Sequence, residues 1–246
     1  MIDWNDHLTL PAMRSETHFG RTLRCFAERP SSVYQMFERA VARAPDNEAV
    51  TFEGQRWTYA QAEREVARIA NGLAAHSLKR GERVVLFVSN RPEFVFTLYA
   101  LQKLGAIAVP VGTREQGPGL AYIVNQCGAT GIVFDDDLAS RIPAPDAAAC
   151  LAWRLPVSAL AALDGPPVAA AATSEDDCAC ILYTSGTTGN PKGAMLTHLS
   201  IAHSSIHYEI AFKLTRADRA ALAVPATHVT GLVALITAMV HVAGTL

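Results

Sequence analysis

Charge is scarce in this sequence. Asp, Glu, Lys and Arg make up 18% of its 246 residues and the formal balance is −2, against roughly a quarter charged in an average soluble domain. No basic surplus exists to neutralise a phosphate backbone, which argues against nucleic acid as a partner. Cysteine is sparse and unpatterned: the five residues form an odd set without C-x-x-C spacing, so neither a disulfide framework nor a thiolate zinc centre is indicated. Cys178 and Cys180 read as buried thiols, and the set fits a reducing cytoplasm. Long hydrophobic runs are missing too. The longest, residues 229–242, carries His241 and falls short of the roughly 20 residues a bilayer crossing needs. No basic start followed by an apolar stretch opens the chain, so no secretory leader is read. No repeat of fixed period occurs.

What is present is apolar material, 50% of the residues, arranged in alternating units. Ser31 or Ser32 caps a helix whose face is Val33, Phe37, Ala40, Val41 and Ala44. Residues 48–58 read as a hairpin turning at Glu53-Gly54. Thr58 and Gln61 form a capping box for a helix that buries Ala62, Val66, Ile69, Ala70 and Leu73. Strand-length apolar runs at 83–89, 106–111, 130–135, 179–183 and 220–224 alternate with helical segments at 94–104, 120–126, 199–212 and 229–242, with Gly105, Gly128 and Gly244 as stops. Runs apolar on both faces, alternating with helices, predict an α/β fold: a mainly parallel sheet with helices on both faces. Residues 1–30 show no sustained periodicity and read as a surface-wrapping segment. The Ala/Pro-rich connection 139–178 reads as loosely structured, with a short strand at 151–157.

The richest chemistry lies in Tyr183-Thr184-Ser185-Gly186-Thr187-Thr188-Gly189-Asn190-Pro191-Lys192-Gly193. Hydroxyls, glycines and one lysine crowd between two apolar runs, and no Asp or Glu occurs from position 178 to 208. Clustered N–H groups, hydroxyls and a cation suit a polyphosphate. The stretch is not a Walker A loop, because Pro191 precedes the lysine and Gly193 follows it. It reads as strand, phosphate-gripping loop, strand; the alternative is a flexible Gly/Ser/Thr linker.

Residues 183–193, continued by Met195-Leu196-Thr197-His198, resemble the signature loop of the class I adenylate-forming enzymes: AMP-forming acyl-CoA synthetases, adenylation domains of peptide synthetases and firefly luciferase. Weaker similarity runs from Tyr34 to the end. The resemblance implies an acyl-CoA synthetase-like amino-terminal domain over 31–246, incomplete and lacking the carboxy-terminal lid domain. It implies ATP and magnesium as cofactors, coenzyme A as co-substrate, a small carboxylic acid as substrate, and a place in fatty-acid metabolism. Thr184, Ser185, Gly186, Thr187, Thr188, Gly189 and Lys192 would hold the phosphates. His228, in a segment similar to the family's next motif, would border the acyl site and join Lys192 as a catalytic residue. The family's later magnesium acid, adenine segment, ribose-binding Asp and terminal lysine have no match here. A non-catalytic nucleotide-binding or assembly fragment, or an adenylation domain feeding a carrier-protein thiol, therefore stands as the alternative.

Three further groups are weighed. His203 and His207, four apart, suit a helix face better than a metal site, which needs further ligands. His198 reads as a packing or hydrogen-bonding residue, and Asp135-Asp136-Asp137 as a solvated turn or helix cap. The apolar segment 229–246 predicts self-association as a homo-oligomer through that face.

Overall fold

The structure is a computed structural model that describes residues 10–184 and 191–246. Its centre is a six-stranded sheet. The strands are β5 (Arg83–Phe87), β6 (Ile107–Pro110), β7 (Gly131–Phe134), β8 (Trp153–Pro156), β9 (Cys178–Thr184) and β10 (Lys192–Thr197). They lie in the order β10-β9-β6-β5-β7-β8. All neighbours are parallel except β9 and β10. The expected parallel pairing of 83–89 with 106–111 is present, with Val84 opposite Ala108.

Period-2 alternation divides each central strand between two cores. Val84, Leu86, Ala108 and Val133 face one layer, built from α1 (Val33–Arg43), α2 (Tyr59–Ala75), α3 (Pro92–Lys103) and α6 (His198–Phe212). Val85, Phe87, Val109 and Ile132 face the other, where α4 (Gly117–Cys127) packs with Leu120, Ile123 and Val124. A fully buried side chain of this size contributes about 1.5–3 kcal/mol, so strands buried on both faces are fixed in register. Helices therefore cover both faces, as the sequence predicts.

Local signals decide several element ends. Ser32 Oγ accepts the Gln35 N–H at 3.0 Å. Thr58 and Gln61 exchange both capping-box bonds. The strands β3 (Glu48–Phe52) and β4 (Gln55–Thr58) turn at Glu53 and Gly54, with φ of 48° and 82°.

Four expectations need correction. Residues 10–30 are not featureless: β1 (Met13–His18) and β2 (Arg21–Phe26) form an antiparallel hairpin. Residues 220–224 do not join the sheet. The Ala220 N–H donates to the Thr245 carbonyl at 2.9 Å, the Ala223 N–H turns back to the Ala221 carbonyl at 2.8 Å, and the Leu222 and Val224 carbonyls accept from the Asn90 side chain. The segment 229–242 is not one α-helix: Thr230–Thr237 is π-helical, and only Ala238–Val242, α7, is α-helical. It ends at left-handed Ala243, one residue before the glycine expected to stop it. Nor does this segment offer a free apolar face. Leu232, Ile236 and Met239 are 0%, 0% and 3% exposed within their own chain, and Leu235 is half-buried. The apolar surface on which the expected self-association rests is thus covered internally. Thr245 forms an isolated parallel bridge with Arg219, and Leu246 pairs with the strand β3. The Leu246 N–H donates to Ala49 O at 2.9 Å and its carbonyl accepts from the Thr51 N–H at 2.8 Å.

A part-buried ion-pair network ties the amino-terminal hairpin to the entry of β9. The Arg29 guanidinium donates to Glu175 at 2.8 and 2.6 Å and to Glu16 at 3.0 and 2.6 Å. His18 Nδ1 lies 2.7 Å from Asp176.

His198 connects the starts of α1 and α6 within one layer. Its Nδ1 accepts the Val33 N–H at 3.2 Å, so that nitrogen carries no proton, and burial pushes its pKa down to about 4 from 6.5. The folded value lies below the unfolded one, so the unfolded chain takes the proton first. This group's contribution is whole above pH 6.5 and is lost as pH falls toward about 4, at about 1.4 kcal/mol per pH unit. Urea denaturation of the protein and of His198→Asn across this range is expected to show the parent losing about 3 kcal/mol more than the variant. Parallel pH profiles would refute the assignment.

Candidate active site

The loop expected to grip phosphate is anchored where β9 and β10 open. Thr184 and Lys192 are directly opposed in the antiparallel register, and Thr184 Oγ1 lies 3.5 Å from the Lys192 carbonyl oxygen. Both are exposed. Strands β9 and β10 thus flank the segment on either side. Ser185, Gly186, Thr187, Thr188 and Gly189 lie outside the described residues. Gly193 has a packing reason rather than a ligand-approach one: a Cβ there would stand 2.7 Å from Ile181 Cγ2 and 3.2 Å from the Tyr183 ring.

The loop's two ends open into a cleft of about 390 Å³. Tyr183, Thr184 and Pro191 form one wall, and Thr227 and His228 form another. The floor is Pro110, Val111 and Gly112, directly after β6. The cleft therefore sits beyond the carboxyl ends of two adjacent parallel strands, where ligands of open α/β sheets bind. It brings together Thr184, from the segment expected to grip phosphate, and His228, from the segment expected to border the acyl site. Lys192 does not line it, although it lies opposite Thr184 in the strand register. A larger cavity, about 510 Å³, lies elsewhere, among Val50, Arg91, Arg219, Leu222 and Leu246. It contains none of the motif residues, so its size carries no functional weight.

Sequence reasoning missed Arg114 and Glu115, which also line the cleft. They follow β6, and the rule that parallel strands present their sites at their carboxyl ends would have pointed to them. Arg141 Nη1 donates to the Thr113 carbonyl at 2.7 Å and fixes this loop. Glu115 accepts the Gln116 N–H at 3.0 Å and lies over Gly119, so its charge faces the start of α4. The Tyr183 hydroxyl bonds the Gln126 side chain, and burial pushes that phenol's pKa up, keeping it neutral.

Magnesium does not fit the residues present. Glu115 is turned to the α4 start, and positions 178–208 contain no carboxylate; a divalent cation needs several oxygen ligands. Asp135 and Asp136 are engaged structurally. Asp135 accepts the Ser89 N–H at 2.8 Å and is only 6% exposed; it is not a solvated turn but stands at the N-cap position of the 3-10 helix Asp136–Arg141, the other reading, without a side-chain cap bond. Asp136 accepts the Ser158 N–H at 3.0 Å in α5 (Val157–Leu160). Elsewhere, Glu16, His18 and Cys25 place potential ligand atoms within 4.8 Å of one another. The Arg29 cation already occupies Glu16, and burial pushes the Cys25 thiol up, which disfavours the thiolate a metal requires. His203 and His207 pack against Phe26, with ring centroids 5.0 and 4.9 Å away. All five cysteines are free thiols. Among the described residues, no helix is long and apolar enough to cross a membrane.

Comparison with known proteins agrees with this fold. A feruloyl-CoA synthase of Amycolatopsis is 34% identical over 194 residues, 79% of this chain and 39% of that protein. A long-chain fatty-acid–CoA ligase of Mycobacterium tuberculosis is 34% identical over 194 residues, 74% of this chain and 37% of the relative. This chain thus spans about two fifths of the length of these curated relatives. Among solved structures, the o-succinylbenzoate–CoA synthetase of Bacillus subtilis in complex with AMP is 26% identical. It superposes with a TM-score of 0.77 over 85% of this chain and 54% of that one. The amino-terminal domain of a Mycobacterium tuberculosis protein, FACL13, gives 0.78 at 28% identity, covering 88% and 57%. The profile of the AMP-binding enzymes matches residues 37–246, and with so much of it accounted for, the chain belongs to the AMP-binding enzyme family.

Proposed function

We propose that this chain carries the phosphate-gripping and acyl-binding walls of an enzyme that activates a carboxylic acid with ATP and passes the acyl group to the thiol of coenzyme A. The observation supporting this most is the single cleft in which Thr184 and Pro191 meet Thr227 and His228. A carboxylate is ionised at neutral pH, so its attack needs no general base. A carboxylate oxygen bonds to the α-phosphorus of ATP, the bond to the β-phosphate bridge breaks, and pyrophosphate leaves with the electron pair. The thiolate sulfur then attacks the acyl carbon and AMP departs. The chain's part is to align the reactants and stabilise charge moving onto phosphate oxygens. Lys192 and the hydroxyl loop serve the phosphates, and His228 borders the acyl carboxylate. ATP is the nucleotide substrate and coenzyme A the thiol. Magnesium would act only with ligands from outside these residues.

Matches to a gramicidin synthase subunit and a surfactin synthase subunit, 32% and 30% identical, support a carrier-protein thiol as the second acceptor to test. Acid-dependent ATP–pyrophosphate exchange by the full-length protein, over a panel of aromatic and aliphatic acids, tests the activation step. Exchange above the acid-free background is expected for at least one class, and thioester formation is expected with coenzyme A. Transfer only to a phosphopantetheinyl carrier would move the assignment to the second acceptor, and no exchange with any acid would overturn it.

A further inference from the structure

The segment that delivers Thr227 and His228 to the cleft is held by one side chain. Asn90, just beyond β5, donates from Nδ2 to the Leu222 carbonyl at 2.9 Å and to the Val224 carbonyl at 2.8 Å. Its Oδ1 accepts the Ala226 N–H at 2.8 Å. One amide thus satisfies alternate backbone groups along 222–226, as a neighbouring strand would. This is why an apolar run of strand length stays outside the sheet. Asn90 is itself preset: Asp135, after β7, accepts the Ser89 N–H at 2.8 Å and the Arg91 guanidinium at 3.3 Å. The far side is closed by contact. A Cβ on Gly231 would stand 2.3 Å from the Pro225 carbonyl oxygen, so only glycine lets the π-helical turn seat against 225–226. His228 lies between these two fixings. Its N–H bonds Pro225 O at 3.0 Å and its carbonyl accepts the Leu232 N–H at 2.8 Å. Ala226 is buried while His228 is exposed, so the backbone is clamped and the imidazole is left facing outward.

We propose that Asn90 is a positioning residue of the acyl site: through its three bonds to 222–226 it sets Thr227 and His228 against the Thr184 end of the phosphate loop. This rests on the carboxylate-activation reading above. Among the described residues, the Asn90 side-chain hydrogen bonds run to 222–226 and none to Thr184 or Lys192, so its loss should be felt on the acid side and not on the nucleotide side. An aspartate of the same shape keeps the acceptor for Ala226 but sets oxygen against the carbonyls of Leu222 and Val224, and is expected to act like alanine.

The test uses the full-length protein with Asn90→Ala, Asn90→Asp, His228→Ala and the two double variants, in pyrophosphate exchange and in amide hydrogen exchange. The expected result is a KM for the acid raised about tenfold by either Asn90 variant, from the loss of two or three hydrogen bonds, with the KM for ATP within about twofold of the parent. In the His228→Ala background the Asn90 change should add less than about twofold, since both act through one group. Asn90→Asp carries the test if the alanine variant does not fold. Multiplicative effects, or an unchanged acid KM alongside lost amide protection at Ala226, would overturn the proposal. If the parent shows no exchange with any acid, the activation reading fails by itself. Amide exchange then decides the clamp: protection at Ala226 falling at least tenfold in Asn90→Ala supports it, and unchanged protection overturns it.

Discussion

Replacing Arg29 with methionine is expected to lower stability by about 3 kcal/mol and the melting temperature by roughly 6–12 °C. Its side chain is 4% exposed and sits between Glu16 and Glu175, whose side chains are 19% and 23% exposed. Removing the cation leaves two carboxylates facing each other with nothing between them. Taking one partner from a fully buried pair costs about 3–5 kcal/mol; partial solvent access to the carboxylates places this case at the low end. Lysine at 29 keeps the charge but not the fork that makes two parallel bonds to each carboxylate, so its loss should be intermediate. Arg29 holds the Glu16 carboxyl well below the usual range. The pairing is therefore present above the ordinary carboxylate pKa and lost as pH falls, and the difference between parent and methionine variant should shrink in acid. Thermal melts of the three proteins at neutral and acidic pH check this. A methionine variant melting with the parent at neutral pH would show that the network contributes nothing net.

The second large effect is on chemistry. Lys192→Ala is expected to slow acid-dependent pyrophosphate exchange tenfold to a hundredfold, because a charge-assisted hydrogen bond contributes about 1.5–3 kcal/mol. Lys192 is exposed and paired with Thr184 where the loop opens. Truncation there removes a cation without disturbing a core, and the melting temperature should hold. Unchanged exchange would remove Lys192 from the phosphate site. Equal losses of activity and stability would assign it a structural part instead.

The sheet and most helix ends were legible because local and tertiary signals coincide there. Val84-Val85-Leu86-Phe87 is apolar on both faces and ends up between two cores. Thr58 and Gln61 cap a helix with bonds that span three residues. What the sequence could not show is held by partners far along the chain. The hairpin of β1 and β2 carries Arg14, Glu16, Arg21 and Arg24 and has no apolar alternation to betray it; Glu175, 146 residues from Arg29, helps to secure it. The 220–224 run has a strand's composition, yet Asn90 supplies its bonds from 132 positions away. Within the site, Thr184, Lys192 and His228 carried motif signals. Arg114, Glu115 and Asn90 carried none, and their role rests on where the loops after β5 and β6 are placed by the strand order.

On the proposed function, the nucleotide lies in the cleft between the Thr184 end of the phosphate segment and the His228 segment. A crystal structure of the full-length protein with a non-hydrolysable acyl-sulfamoyl adenosine tests it most directly. The expected density has the sulfamate beside Thr184 and Lys192 and the acyl carbonyl beside His228. Density in the larger cavity lined by Arg91, Arg219 and Leu246, with the cleft empty, would contradict it.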